Sequence, residues 1–285
     1  MPKNTLFNTQ TLIQCKGRLV NLSRPVVMGI LNVTPDSFYT RGRQSSGDAI
    51  LAHAGQMLQE GATILDVGGM STRPGAPEVS VQEETDRVVP VIEALCRTYP
   101  DAVVSVDTYR AQVASAAVQA GAHIINDISF GDMDATMLTT VAQLGVPYIG
   151  MHMQGTPQTM QQSPDYHNVT LDIIGYFAQK LALFHDAGVK DVILDPGFGF
   201  GKTVAHNYTL LQQLDRFAML ERPLLAGLSR KSMVCRPLHI TPDDALNGTT
   251  VLNTIALQKG AAILRVHDVK EAMQAICLTE MLQNR

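Results

Sequence analysis

Residues 61–68 read Gly61-Ala62-Thr63-Ile64-Leu65-Asp66-Val67-Gly68, and this stretch decides the fold. A glycine follows a segment of helical periodicity, then comes a short apolar run that carries a polar residue near its end. Glycine in that place suits the left-handed cap that closes a helix, and the run reads as a buried strand. Working outward, similar runs recur at 26–31, 63–67, 103–106, 123–126, 147–151, 192–194, 224–227 and 262–266. Helical spacing of apolar residues follows each run, at 48–60, 81–97, 111–120, 134–144, 170–187, 206–214, 242–259 and 269–282. Several of these segments stop at a glycine: Gly61, Gly121, Gly145, Gly188 and Gly260. Eight strand-then-helix units in series predict an α/β chain folded as a parallel (β/α)8 TIM barrel. Ahead of them, 12–15 and 18–22 flank Lys16-Gly17 and read as a short N-terminal β-hairpin, a plug for one barrel end. The expected division is therefore an extension and hairpin over 1–24 and one barrel over 25–285.

Composition narrows the partners. The chain has 285 residues, 45% hydrophobic and 17% charged, and 22 Lys and Arg against 26 Asp and Glu leave a net charge of −4. With no run of like charges, neither nucleic acid nor an anionic membrane is expected as a main partner, and small molecules are. The first ten residues are polar, and no apolar run reaches the ~18 residues of a membrane span, so a cytoplasmic protein is expected. Cys15, Cys96, Cys235 and Cys277 form no CxxC pair and read as buried or incidental thiols.

In a (β/α)8 barrel the C-terminal ends of all strands face one cavity, where catalytic groups gather. The sequence puts polar residues there: Asn32, Asp66 with Ser71-Thr72-Arg73, Asp107, Asn126-Asp127, His152, Asp195, Ser229-Arg230-Lys231, and Arg265 with His267. The glycine-rich stretch Asp195-Pro196-Gly197-Phe198-Gly199-Phe200-Gly201-Lys202-Thr203 ends like a phosphate-binding loop, but Pro196 holds the place of its first glycine. Its alternating glycines also miss the dinucleotide pattern. They suit close approach of backbone and two Phe side chains to a flat ligand. Lys231 is a candidate Schiff-base lysine with Arg230 as the cation that depresses its pKa, although its place in a polar loop favours a charged donor.

Two sets of side chains remain. Asp107, Asn126 and Asp195 suit an amino-substituted heterocycle with adjacent N–H groups. Asn32, Arg73, Arg265 and His267 suit a diphosphate, and Asp36 beside Asn32 suits Mg2+, a hard ion that takes oxygen ligands and substrate phosphates. Together they describe a flat heterocycle bearing a diphosphate.

At this point the chain resembles the dihydropteroate synthases, the folate-pathway enzymes targeted by sulfonamides. The likeness runs over 26–271 and rests on eight motifs in order, one per strand. They are Asn32-Val33-Thr34-Pro35-Asp36-Ser37-Phe38, Ser71-Thr72-Arg73-Pro74-Gly75, Ser105-Val106-Asp107-Thr108, Asn126-Asp127-Ile128-Ser129, Met151-His152-Met153-Gln154-Gly155, the 195–202 loop, Ser229-Arg230-Lys231-Ser232 and Arg265-Val266-His267-Asp268. The resemblance implies a homodimeric barrel that joins 4-aminobenzoate to 6-hydroxymethyl-7,8-dihydropterin diphosphate, giving 7,8-dihydropteroate and pyrophosphate. It implies that Asp107, Asn126, Asp195 and Lys231 bind the pterin, with Met151 and Phe200 on its flanks and Arg265 stacked on it. Asn32, Arg73, Arg265 and His267 are then expected on the diphosphate, with Asn32 and Asp36 on Mg2+. Phe38, Thr72, Pro74, Phe200, Lys231 and Ser232 are expected around the aminobenzoate. Asp107, Asp195, Lys231 and Arg265 carry the catalytic expectation.

Three departures from the family pattern stand out: the 38–43 loop, Met70 in place of a glutamate, and Phe130 in place of a glycine near the expected pterin pocket. A corrinoid-dependent methyl transferase barrel shares the pterin-facing Asp and Asn set, and an inactive pterin-binding relative is a third reading. Pyrophosphate release separates them.

Overall fold

The computed structural model describes Phe7 and residues 9–33, 46–71 and 79–283. Strands β1 (Leu12–Cys15) and β2 (Arg18–Asn21) form an antiparallel hairpin. The barrel strands are β3 (Val26–Asn32), β4 (Ile64–Gly68), β5 (Val103–Asp107), β6 (Ile124–Asp127), β7 (Tyr148–Met151), β8 (Val192–Asp195), β9 (Leu225–Ala226) and β10 (Ile263–Val266). All neighbours in the order β8-β7-β6-β5-β4-β3-β10-β9 pair in parallel. A single parallel bridge, Leu194 to Leu224, joins β8 to the chain entering β9 and closes the ring. The expected (β/α)8 barrel is the observed fold.

Between the strands run α1 (Ser46–Gln59), α2 (Val81–Thr98), α3 (Ala111–Gln119), α4 (Met137–Leu144), α5 (Val169–Asp186), α6 (Val204–Gln212), α7 (Ser232–Leu238), α8 (Leu246–Gln258) and α9 (Val269–Gln283). The five stop glycines take positive φ, from 62° at Gly145 to 123° at Gly121. Helix α4 starts later than its periodicity predicts, because the Asp134 carboxylate accepts the N–H groups of Thr136 and Ala111 and holds that stretch in a turn. The one-turn Pro242–Asp244 helix splits off the start of the 242–259 segment. Helix α7 is absent from the sequence expectation: at 7 residues, with Pro237 near its end, it carries too little periodicity to read.

Side chains alternate along a strand. Every barrel strand sends one apolar residue to a common floor: Met28, Ile64, Val103, Ile124, Ile149, Ile193, Leu225 and Ile263. Ile13, Cys15, Val20 and Leu22 of the hairpin segment pack beneath them, so the hairpin plugs the N-terminal end of the barrel. Burying each such side chain contributes about 2 kcal/mol. A second, larger core fills the space between the barrel's outer face and the helices. With the lower end closed, the opposite mouth is the open approach to the interior.

Candidate active site

One step above the apolar floor, the same strand faces turn polar: Asp66 on β4, Ser105 then Asp107 on β5, Asn126 on β6, Asp195 on β8 and Arg265 on β10. Arg265 lies at the centre of this layer. Its Nε donates to Asp66 Oδ2 at 2.7 Å and its Nη2 to Asp107 Oδ2 at 2.6 Å. Asn126 Nδ2 donates to the same Asp66 oxygen at 2.9 Å. Burial pushes the Asp107 carboxyl up to about 7; Arg265 pulls it down, while the charges of Asp66, Glu84 and Asp127 push it further up. Burial alone disfavours the Arg265 charge, and the carboxylates of Asp66 and Asp107 more than restore it.

Across the cavity, Lys231 Nζ donates to the Phe198 carbonyl at 2.6 Å and stands 4.8 Å from the centre of the Phe200 ring. A Cβ placed on Gly227 would lie 3.5 Å from Lys231 Nζ and 3.9 Å from Asp195 Oδ2, so the two charged groups converge over that glycine. Burial lowers Lys231 to about 8; Asp195 opposes this and Arg265 adds to it. Burial raises Asp195, and Lys231 is the first group to counter that. Asp195 Oδ1 accepts the Gly197 N–H at 2.8 Å.

The glycine-rich loop is held by a buried cation. Lys202 Nζ points back into its own loop, 3.0 Å from the carbonyls of Gly197 and Phe200 and 3.1 Å from His152 Nδ1. Burial lowers Lys202 to about 7 and His152 to about 2. Gly197 takes φ +73°, and a Cβ there would stand 2.0 Å from the His152 carbonyl oxygen. The glycine thus lets the loop close down on β7.

The apolar side of the mouth is Tyr109, Ile128 and Met151, flanked by Met70, Met133, Met153 and Phe200. Met70 accepts a weak 3.9 Å hydrogen bond from the Tyr109 hydroxyl. At the rim, Asn32 is exposed at the end of β3, and a Cβ on Gly68 would lie 3.8 Å from Asn32 Oδ1 and 3.7 Å from Asp107 Oδ2. His267 Nδ1 and Ser229 Oγ are 2.9 Å apart. Ser232 is exposed as the first residue of α7.

Asp107, Asn126, Asp195, Lys231, Arg265, Met151 and Phe200 therefore meet at the mouth, with Asn32 on its rim. Asp36, Phe38, Thr72, Arg73 and Pro74 lie outside the described residues. Some sequence expectations are corrected. Phe130 is fully buried on the outer face of the barrel among Tyr148, Phe177 and Phe184, not beside the pterin pocket. Asp127 also turns away, accepting bonds from Ser129, Gly131 and Tyr148. Arg230 pairs with Asp268 at 2.6 Å, so the cation acting on Lys231 is Arg265. The sequence reading put Asp66 in the cavity and Lys202 in the glycine-rich loop but gave neither a specific task. Both are charged groups at buried positions, and that mismatch of residue type and expected burial is the signal that could have assigned them one.

The model of the pterin-binding enzyme family matches residues 28–267. The dihydropteroate synthase of Escherichia coli (strain K12) is 47% identical over 268 residues, 93% of this chain and 94% of the relative. A crystal structure of Yersinia pestis dihydropteroate synthase with a sulfonamide drug complex superposes with TM-score 0.90 at 47% identity, covering 96% of this chain and 100% of that one. The Xanthomonas albilineans dihydropteroate synthase with 4-aminobenzoic acid gives TM-score 0.90 at 40% identity, with 97% and 100% covered. A match of this extent in both sequence and fold means that the chain belongs to the dihydropteroate synthase family of pterin-binding enzymes.

Proposed function

We propose that this chain joins 4-aminobenzoate to 6-hydroxymethyl-7,8-dihydropterin diphosphate at the barrel mouth, releasing pyrophosphate and 7,8-dihydropteroate. The observation that carries the reading is the bonded set of Arg265, Asp107, Asp66 and Asn126 facing Lys231 and Asp195 across one cavity. Carboxylates and an amide on one side suit the N–H edge of the pterin. Phe200 and Met151 offer it apolar faces.

Breaking the CH2–O bond leaves a cationic pterin methylene and an anionic diphosphate, so catalysis requires stabilising both as they part. Asp107 and Asp195 supply negative charge near the ring, and Arg265 and His267, with Arg73, supply donors to the leaving group. The arylamine, neutral at pH 7, then attacks the methylene; the C–N bond forms and the nitrogen sheds its surplus proton to water or the released pyrophosphate, so no strong base is needed. Lys231, held over Phe200, is placed to donate to the pterin and to border the aminobenzoate with Phe38, Thr72, Pro74 and Ser232. The aminobenzoate pocket would also admit a sulfonamide, the class of drug in the complex of the Yersinia pestis relative.

Mg2+ fits this chemistry. Among the described residues no three His, Cys, Asp or Glu side chains form a metal cage, and Mg2+ ordinarily needs only one or two side-chain oxygens beside substrate phosphates and water. The exposed Asn32 amide, with Asp36, is the donor set proposed to hold it. Bound there, the ion would neutralise charge on the diphosphate.

The enzyme is proposed to act as a homodimer in the cytoplasm. Leu278, Met281 and Leu282 of α9 and Val251 of α8 are exposed, an apolar set that suits burial against a second copy. Cys15, Cys96, Cys235 and Cys277 are all free thiols, which fits a reducing compartment. Purified protein given both substrates and Mg2+ is expected to release pyrophosphate only when 4-aminobenzoate is present. No release across pH and metal concentration rejects the proposal, and binding of methyltetrahydrofolate instead would favour the methyl transferase reading.

A further inference from the structure

Asp66 belongs to the bonded set above, yet no step of the chemistry uses it directly. Its side chain has no solvent exposure. Its Oδ2 receives both Arg265 Nε and Asn126 Nδ2, while its buried Oδ1 has no hydrogen-bond partner among the described residues. Ser105 faces the same interior from the neighbouring strand, in register with Asp66, and its buried hydroxyl likewise has no partner among the described residues. An ion held this deep costs free energy unless it organises its neighbours.

We propose that Asp66 is a positioning residue for the transfer: a fixed pivot beneath the site that aims Arg265 and Asn126. Arg265 divides its guanidinium between two carboxylates. The Nη2 arm occupies Asp107 Oδ2, an acceptor the pterin needs. A pterin N–H that takes over that oxygen displaces the arm, and the Nε bond to Asp66 keeps the guanidinium at the mouth as it leaves. Once freed, Nη2 is available to the departing diphosphate. Asn126, bonded to the same oxygen, keeps its amide plane fixed as this happens.

The pivot also acts on Asp107 through charge. Asp107 is faced by Arg265 from β10, Asp66 from β4, Glu84 from α2, Asp127 from β6 and, across the cavity, Lys231. Among these Asp66 is the strongest like-charged neighbour, and it raises the pH at which Asp107 ionises.

The inference rests on the proposed roles of Arg265 and Asp107, and its test separates the two. Asp66→Asn keeps the shape and one acceptor oxygen but removes the charge. It is expected to move the acid limb of the pterin-substrate kcat/KM profile to lower pH. Asp66→Ala removes the pivot and is expected to lower kcat/KM for the pterin substrate roughly a hundredfold, the scale of a 1 Å misplacement, with KM for 4-aminobenzoate nearly unchanged. A merely structural aspartate would move neither the limb nor one substrate selectively. Should either variant fail to fold, the wild-type enzyme crystallised with pterin diphosphate still decides. The Arg265–Asp66 bond is expected to persist and the Arg265–Asp107 bond to break; loss of the first with retention of the second overturns the pivot. An active wild type whose variant keeps its acid limb and pterin kcat/KM overturns this inference alone. A wild type that releases no pyrophosphate overturns both.

Discussion

The Phe130 ring lies against Gly150 so closely that a Cβ on the glycine would stand 2.5 Å from its ring carbons. Tyr148, Phe177 and Phe184 surround the ring, so it has nowhere to retreat. Gly150→Ala should therefore cost about 1–3 kcal/mol by overpacking, read as a lower Tm, while both KM values hold because the contact faces the helices. Phe130 itself takes φ +49°, a left-handed backbone that suits the glycine of the family pattern. Phe130→Gly would relieve about 1 kcal/mol of strain but open a cavity costing about 3–5 kcal/mol, so the net change is a loss.

Arg265 makes two charge-assisted bonds within the site. Replacing it with Ala should remove about 3 kcal/mol of transition-state stabilisation, roughly a hundredfold in rate. Steady-state pyrophosphate release measures this, and a near-wild-type rate would refute the role.

The pH profile follows from two buried groups. Asp107 ionises near 7, raised by burial, so its negative charge is lost as pH falls through 7. Lys231 titrates near 8, lowered by burial, so its positive charge is lost as pH rises through 8. Both charges coexist in a narrow window, and kcat/KM should follow a bell with limbs near those values. A flat profile from pH about 6 to about 9 would show that one of them is dispensable.

Glu84 on α2 is fully buried and its Oε2 accepts from Arg110 Nη1 at 2.9 Å. Arg110→Met would remove the ion-pair partner of that carboxylate and leave it the Thr108 hydroxyl, and breaking a buried pair in this way costs about 3 kcal/mol. Denaturant unfolding should show it as a lower midpoint with an unchanged slope.

The barrel was legible because each strand announces itself by an apolar run, and five of the eight also by the glycine that closes the helix before it. Asp107, Asn126, Asp195 and Arg265 were legible because they end such runs. Asp127 was misplaced although the sequence held the correction: consecutive strand residues point to opposite faces, so Asn126 and Asp127 cannot share the cavity. The bond from Arg265 to Asp66 spans 199 positions in sequence, and the carbonyl ring around Lys202 depends on how its loop folds back. Neither has a local signature. Helix α7 was too short to show a period.

The barrel is closed between β8 and β9 by one bridge, and β9 has only two residues. Asp195, at the end of β8, and the loop that carries Lys231 after β9 stand on either side of that thin seam. A heterocycle that bonds both residues at once would act as a missing rung, laced across the joint from above. Ligand binding should then slow hydrogen exchange at Leu194 and Leu225 more than at the well-paired strands opposite, making the enzyme a cylinder that its own substrate finishes.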